Sequence, residues 1–117
     1  MPITNALAGI AVADLKTAIP WYERLLGRAA DARPLSQVAE WRFANGGWIQ
    51  VFADGGRAGS SSVTLVVDDM ETHLRTLADR HFAVADKTAS ATVKTATVRD
   101  LDGNQIVFAQ GFDQRHR

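Results

Sequence analysis

His73, His81 and His116 are the only imidazoles in the chain, and there is no cysteine. Thiolate nucleophiles, thiolate metal sites and disulfides are therefore excluded. His73 falls near the apolar side of a helical pattern, and His81 closes that pattern, where a partial positive charge suits the helix macrodipole. His116 belongs to an Arg115-His116-Arg117 tail that is expected to fray. All three read as structural or solvated residues. Ser60, Ser61 and Ser62 could be drawn into a triad with His73 and an acid. No nucleophile elbow supports it, and serine among glycines is linker composition. Asp100 and Asp102 could be drawn as an acid–base pair, but beside Gly103 they read as turn residues whose carboxylates bond nearby backbone N–H groups. Gly46-Gly47 and Gly55-Gly56 are not phosphate loops, since neither lies between a strand and a helix with a following lysine.

With no catalytic constellation evident, the elements that could position a binding site come next. Leu7 to Ala13 reads as a short buried strand. Asp14 can cap the helix that follows, in which Leu15, Ala18, Ile19, Tyr22, Leu25 and Leu26 recur at helical spacing and Gly27 is the stop. Pro20 is placed in or near the first turn, where its missing N–H is tolerated. Residues Ala29 to Gln37 read as irregular or weakly extended. Val38 to Ala44 and Trp48 to Ala53 read as strands joined at Asn45-Gly46. After a Gly/Ala/Ser linker at Asp54 to Ser62, Val63 to Val67 reads as a strand. Asp68 or Asp69 then caps a helix with apolar positions Met70, Leu74, Leu77 and Ala78. A short strand is predicted at Phe82 to Ala85 and a polar, mobile segment at Lys87 to Ala91. The last hairpin joins Val93 to Arg99 and Gln105 to Gly111 through Asp102-Gly103.

The two halves repeat one pattern. Asp14 aligns with Asp69, Leu15 with Met70, Ile19 with Leu74 and Tyr22 with Leu77, and later Ile49 aligns with Ile106 and Gln50 with Val107. The predicted fold class is α+β: two tandem βαβββ units forming a curved mixed sheet around a cleft, with the helices on the outer face. The chain of 117 residues is read as one domain, with repeat one at about 5–54 and repeat two at about 62–112. Forty-six per cent hydrophobic residues suffice for a core, and 13 basic against 13 acidic residues leave no basic field for nucleic acid. No apolar run approaches the ~20 residues of a membrane span. No secretory pattern opens the sequence. A soluble, cytoplasmic protein is expected.

This chain resembles the vicinal oxygen chelate superfamily: glyoxalase I, extradiol dioxygenases, fosfomycin-resistance thiol transferases and bleomycin-resistance proteins. The resemblance is carried by Val12-Ala13-Asp14-Leu15, Trp21-Tyr22, Leu25-Leu26-Gly27, Val67-Asp68-Asp69 and Asp100-Leu101-Asp102-Gly103-Asn104, in that order. Metal-dependent members carry His or Glu at four symmetric positions: five residues before the valine of each Val-x-Asp, and four after each turn glycine. Carried over, these are Leu7, Ser62, Gln50 and Val107. Leu7 and Val107 offer no lone pair, and Gln50 and Ser62 supply at most two neutral donors, fewer than the three or four a divalent ion takes. The resemblance therefore implies the fold without its metal; no cofactor is expected.

Aromatic residues take the place of the ligands. Strand alternation puts Trp48 and Phe52 on the face of Gln50. A two-residue Asn45-Gly46 turn would pair Phe43 with Trp48 and Trp41 with Gln50, adding both to that face; a longer turn would send Trp41 and Phe43 towards the helix. These aromatics are either ordinary core or dimer interface, or a stacking surface for a flat ligand oriented by Gln50 or Ser62. The expected ligand-binding set is Trp41, Phe43, Trp48, Gln50, Phe52, Ser62, Leu7 and Val107. The leading expectation is a metal-free small-molecule-binding protein of the glyoxalase/bleomycin-resistance type, sequestering an antibiotic or other aromatic compound and working as a homodimer, with no nucleic-acid or membrane partner. The alternatives are a lyase, isomerase or dioxygenase whose catalytic residue the sequence does not identify, and a structural or accessory dimer with no ligand.

Overall fold

A computed structural model of the chain describes residues 2–111; His116 and the basic tail lie outside them. The elements run β1 (Leu7–Val12), α1 (Leu15–Leu26), β2 (Val38–Arg42), β3 (Trp48–Ala53), β4 (Ser62–Val66), α2 (Met70–Asp79), β5 (Asp86–Ala89), β6 (Val93–Arg99) and β7 (Gln105–Gly111).

Each helix is started by the same device. The Asp14 carboxylate accepts from Lys16 N at 3.1 Å and Thr17 Oγ1 at 2.7 Å. The Asp69 carboxylate accepts from Glu71 N at 3.2 Å and Thr72 Oγ1 at 2.8 Å. These bonds satisfy orphan donors of the first turn. Gly27, at φ 79, ends α1 in the left-handed conformation. After α2 the same conformation falls to His81 at φ 65, a non-glycine residue for which it costs about 1 kcal/mol. Pro20 is the sixth residue of α1, just past the first turn. The Lys16 carbonyl therefore lacks its helical donor, and both residues are exposed, so water can take its place.

Two sheets form, in the orders β1-β3-β2 and β4-β7-β6-β5. The inner pairs β1–β3 and β4–β7 are parallel and the remaining pairs antiparallel. The repeat is visible in the turns as well. Phe43 N donates to Gly47 O and Gly46 N to Phe43 O; Asp100 N donates to Asn104 O and Gly103 N to Asp100 O. Gly46 and Gly103 supply positive φ at matching places, 105° and 96°. The halves differ at the outer edge: the first sheet's fourth strand is reduced to a single bridge, Ala32 to Glu40. In the second half the predicted strand at Phe82–Ala85 is displaced to Asp86–Ala89. Pairing with β6 begins only at Ala85, whose N–H donates to Thr97 O at 2.7 Å. Phe82 turns instead into the helix layer, 5.2 Å edge-on to Trp21. Fully exposed β5 is a polar edge strand, a composition that discourages further pairing.

The core lies between the sheets and the helices. Ile10, Val12, Trp41, Ile49 and Val51 of the first sheet meet Tyr22 and Leu25 of α1, while Val98, Ile106 and Phe108 meet Leu77 of α2. The halves are joined by a buried polar hub. Asn104, 0% exposed, donates through Nδ2 to Ala11 O at 2.7 Å and to Asp100 Oδ2 at 2.8 Å. Its Oδ1 accepts from Gly59 N at 3.0 Å and Ser61 N at 2.8 Å. Asp100 also accepts the Tyr22 hydroxyl at 2.7 Å and the Asp102 and Asn104 N–H groups at 2.9 Å each. Burial, and then the adjoining Asp100 carboxylate, push the Tyr22 hydroxyl well above its usual range. Arg80, which caps the C-terminus of α2, completes the joint by donating to Leu25 O, at the end of α1, at 3.0 Å. Among the described residues no helix is long and apolar enough to cross a membrane.

Candidate functional site

The register decides which residues face the open side of the first sheet. The turn spans five residues, so β2 meets β3 with Arg42 opposite Trp48, Trp41 opposite Ile49 and Glu40 opposite Gln50. This is the longer-turn alternative. Trp41 is corrected accordingly: it is 0% exposed, its ring centroid is 6.0 Å from that of Tyr22, and Nε1 donates to Arg28 O at 3.0 Å. It belongs to the core under α1 and is removed from the expected ligand set. Phe43 is partly buried against the core and also borders a groove between the sheets.

On the opposite face lie Trp48, Gln50 and Phe52, all partly exposed, with Arg42 and Glu40 from β2. Gln50 Nε2 donates to Glu40 Oε2 at 2.7 Å. The Arg42 guanidinium carbon stands 4.2 Å from the Trp48 ring centroid, and its Nη2 is 3.6 Å from Glu40 Oε1. The Arg57 guanidinium stands 5.1 Å from the Phe52 centroid and pairs with Asp54 at 2.8 Å. Each aromatic thus carries a guanidinium on its ring, and each guanidinium a carboxylate at its flank. Gly9 makes room for this in β1: a Cβ there would come within 3.1 Å of Phe52 Cε1.

In the second sheet the corresponding face carries Ser62, Thr64 and Val107. A groove of about 760 Å³ runs between β1 and β3 on one side and β4 on the other, with Leu7, Phe43 and Trp48 facing Thr64 and Val66. Gln50, Phe52, Ser62 and Val107 are not among its walls. The four positions that hold metal in the wider superfamily are filled by an alkyl chain, an amide, a hydroxyl and a second alkyl chain. Among the described residues there is no group of three or more His, Asp or Glu side chains able to hold a metal ion. This donor set does not fit a divalent ion.

The remaining sequence candidates are structural. The His73 ring centroid lies 4.2 Å from that of Phe108, on the helix side, and its Nε2 has no hydrogen-bond partner. Burial, then the nearby Arg80 charge, hold it below the usual imidazole range, so the ring is neutral near pH 7. Ser60 Oγ donates to Arg57 O and Ser61 Oγ accepts from Ala11 N, so neither is a nucleophile paired with His73. Asp100 and Asp102 are turn and hub residues, as their place beside Gly103 implies. Sequence reasoning missed Glu40, Arg42 and Arg57. For two of them alternation supplies a signal once the register is known: with Trp41 in the core, Glu40 and Arg42 fall on the other face.

Neither a family model nor a curated relative matches the sequence. Solved structures do. A glyoxalase / bleomycin resistance protein from Catenulispora acidiphila is 30% identical, with a TM-score of 0.85, over 92% of this chain and 98% of that one. The antibiotic-binding protein TnmS3 from Streptomyces is 21% identical, with a TM-score of 0.78, over 96% of this chain and 99% of that one. The bleomycin resistance determinant of transposon Tn5 is 18% identical, with a TM-score of 0.76, over 93% and 98% of the two chains. The fold, its turn motifs and the first of these likenesses place the chain in the glyoxalase / bleomycin resistance protein family. The other two show the shared fold.

Proposed function

We propose that this is a metal-free small-molecule-binding member of the family, holding a flat aromatic compound on the open face of the first sheet. The observation that carries the reading is the row Trp48–Gln50–Phe52 on β3, partly exposed and backed by the Glu40 carboxylate. Aromatic rings supply large stacking area at low entropic cost, and the amide and carboxylate supply orientation. The donor set at the superfamily's metal positions supports a metal-independent role, and the antibiotic-binding description of TnmS3 agrees with sequestration. A thermal-shift panel tests it: planar aromatic natural products should raise the unfolding midpoint, while Zn²⁺, Mn²⁺, Ni²⁺ and Fe²⁺ should not, because only a species bound by the native state stabilises it. A midpoint raised by a metal and by no aromatic compound would contradict the proposal.

The working unit is proposed to be a homodimer. Leu7 and Val66, 46% and 69% exposed, border the groove, and a single chain leaves that apolar rim uncovered. Sedimentation equilibrium should give twice the chain mass at micromolar concentration; a monomer there would count against pairing.

A further inference from the structure

We infer that the Trp48 site selects a planar cation, and that Glu40 is the residue that makes the selection. The inference rests on the proposed aromatic site and adds the chemistry of its ligand. Arg42 already behaves as an internal occupant. It presents a flat, delocalised cation to the indole at 4.2 Å while its edge approaches Glu40 Oε1 at 3.6 Å. A cation over an indole face is drawn to the ring's negative quadrupole.

Glu40 is the unusual partner in this arrangement. It is 6% exposed, yet it is an acid on the open face of a sheet. Gln50 fixes it through Oε2, whereas Oε1 meets Arg42 beyond hydrogen-bond length. A carboxylate has acceptor capacity for about four donors, and a buried one keeps its charge only beside a cation. Any group that replaces Arg42 on Trp48 must therefore neutralise Glu40 as well. A neutral or anionic ring cannot do so; a protonated amino- or amidino-substituted aromatic can. Arg42 can leave at modest cost, since its side chain is 46% exposed, its ion pair with Glu40 is long at 3.6 Å, and its attraction to the Asp31 carboxylate acts through solvent. The second triad, Phe52–Arg57–Asp54, lacks this logic: Asp54 is 35% exposed and water can serve it.

Three tricyclic probes of similar outline separate the possibilities: 9-aminoacridine, cationic at neutral pH, neutral acridone, and anionic anthracene-9-carboxylate. Their affinities are measured for the wild-type protein and for Glu40→Gln, Arg42→Ala and Trp48→Ala. The wild type should bind 9-aminoacridine about tenfold or more tighter than the other two, the scale of one charge-assisted contact. Glu40→Gln should abolish that preference, bringing the affinities for 9-aminoacridine and acridone to within about threefold of each other. Arg42→Ala, an exposed substitution that leaves the fold intact, should tighten 9-aminoacridine by roughly threefold or more, since an internal competitor is gone. The inference is overturned if Arg42→Ala weakens the cation, or if Glu40→Gln binds it as tightly as wild type. In either case, loss of every probe in Trp48→Ala would leave the aromatic site standing. Failure of all three probes on the wild type would remove both.

Discussion

Replacing Asn104 by alanine is expected to lower the unfolding free energy by about 3–5 kcal/mol, a large effect for a single polar substitution. Four hydrogen bonds end on this one buried amide, to Ala11 O, Asp100 Oδ2, Gly59 N and Ser61 N. Each net bond contributes about 0.5–1.5 kcal/mol, and stranding a buried backbone group costs about 1–3 kcal/mol more. These partners span both repeats, so the loss weakens the joint between them. Urea unfolding at neutral pH provides the measurement. Asn104→Asp keeps the shape but replaces the donor with a second carboxylate facing Asp100 and the Ala11 carbonyl, and should be comparably harmful at pH 7. Part of its loss should return as pH falls through the carboxylate range and protonation restores a donor. By contrast Asp102→Ala forfeits a 3.3 Å contact to Ala13 N and should cost under about 1 kcal/mol. A small effect at Asn104 would mean that the hub does not hold the halves together.

Trp41→Ala is expected to cost about 3–5 kcal/mol and Trp48→Ala less than about 1.5 kcal/mol, although the two residues sit on adjoining strands. Trp41 is fully buried and its indole N–H is bonded to Arg28 O, so truncation leaves both a cavity and an unpaired carbonyl. Trp48 is only partly buried, borders the groove and lies beneath the Arg42 guanidinium. Ile49→Ala, whose side chain points to the helix from the same strand as Trp48, should fall between them at about 2–3 kcal/mol. Denaturant midpoints of the three variants at constant slope give the order. If Trp48→Ala proved the most damaging, Trp48 would be core and the open face would lose its stacking surface.

Much of the fold is legible because local chemistry and tertiary role agree. Asp14 and Asp69 cap helices in sequence and in space, and Gly27, Gly46 and Gly103 occupy the positive-φ positions that their turns require. What escaped reading depends on pairing between distant segments. The identity of Asn45-Gly46 suggests a two-residue turn, but the repeat of the Asp100–Asn104 turn five residues long sets the register, and only that register sends Trp41 inward. The strand at Asp86–Ala89 is polar and exposed, so nothing in its composition marks it; its existence comes from β6 offering a free edge. Asn104 reads locally as a turn residue, and its bond to Ala11 cannot be inferred from neighbours. At the site, Trp48, Gln50 and Phe52 follow from alternation, whereas Glu40 and Arg57 join them only once β2 and the loop after β3 are folded against that face.

The most direct test of the central claim is calorimetric titration of the strongest aromatic hit from the thermal-shift panel into wild-type protein and Trp48→Ala, both in metal-chelated buffer. The account predicts saturable binding to the wild type without metal, and an affinity at least about tenfold weaker in a Trp48→Ala protein that remains folded. Equal affinity in the two proteins, or binding that appears only when a divalent metal is restored, would contradict it.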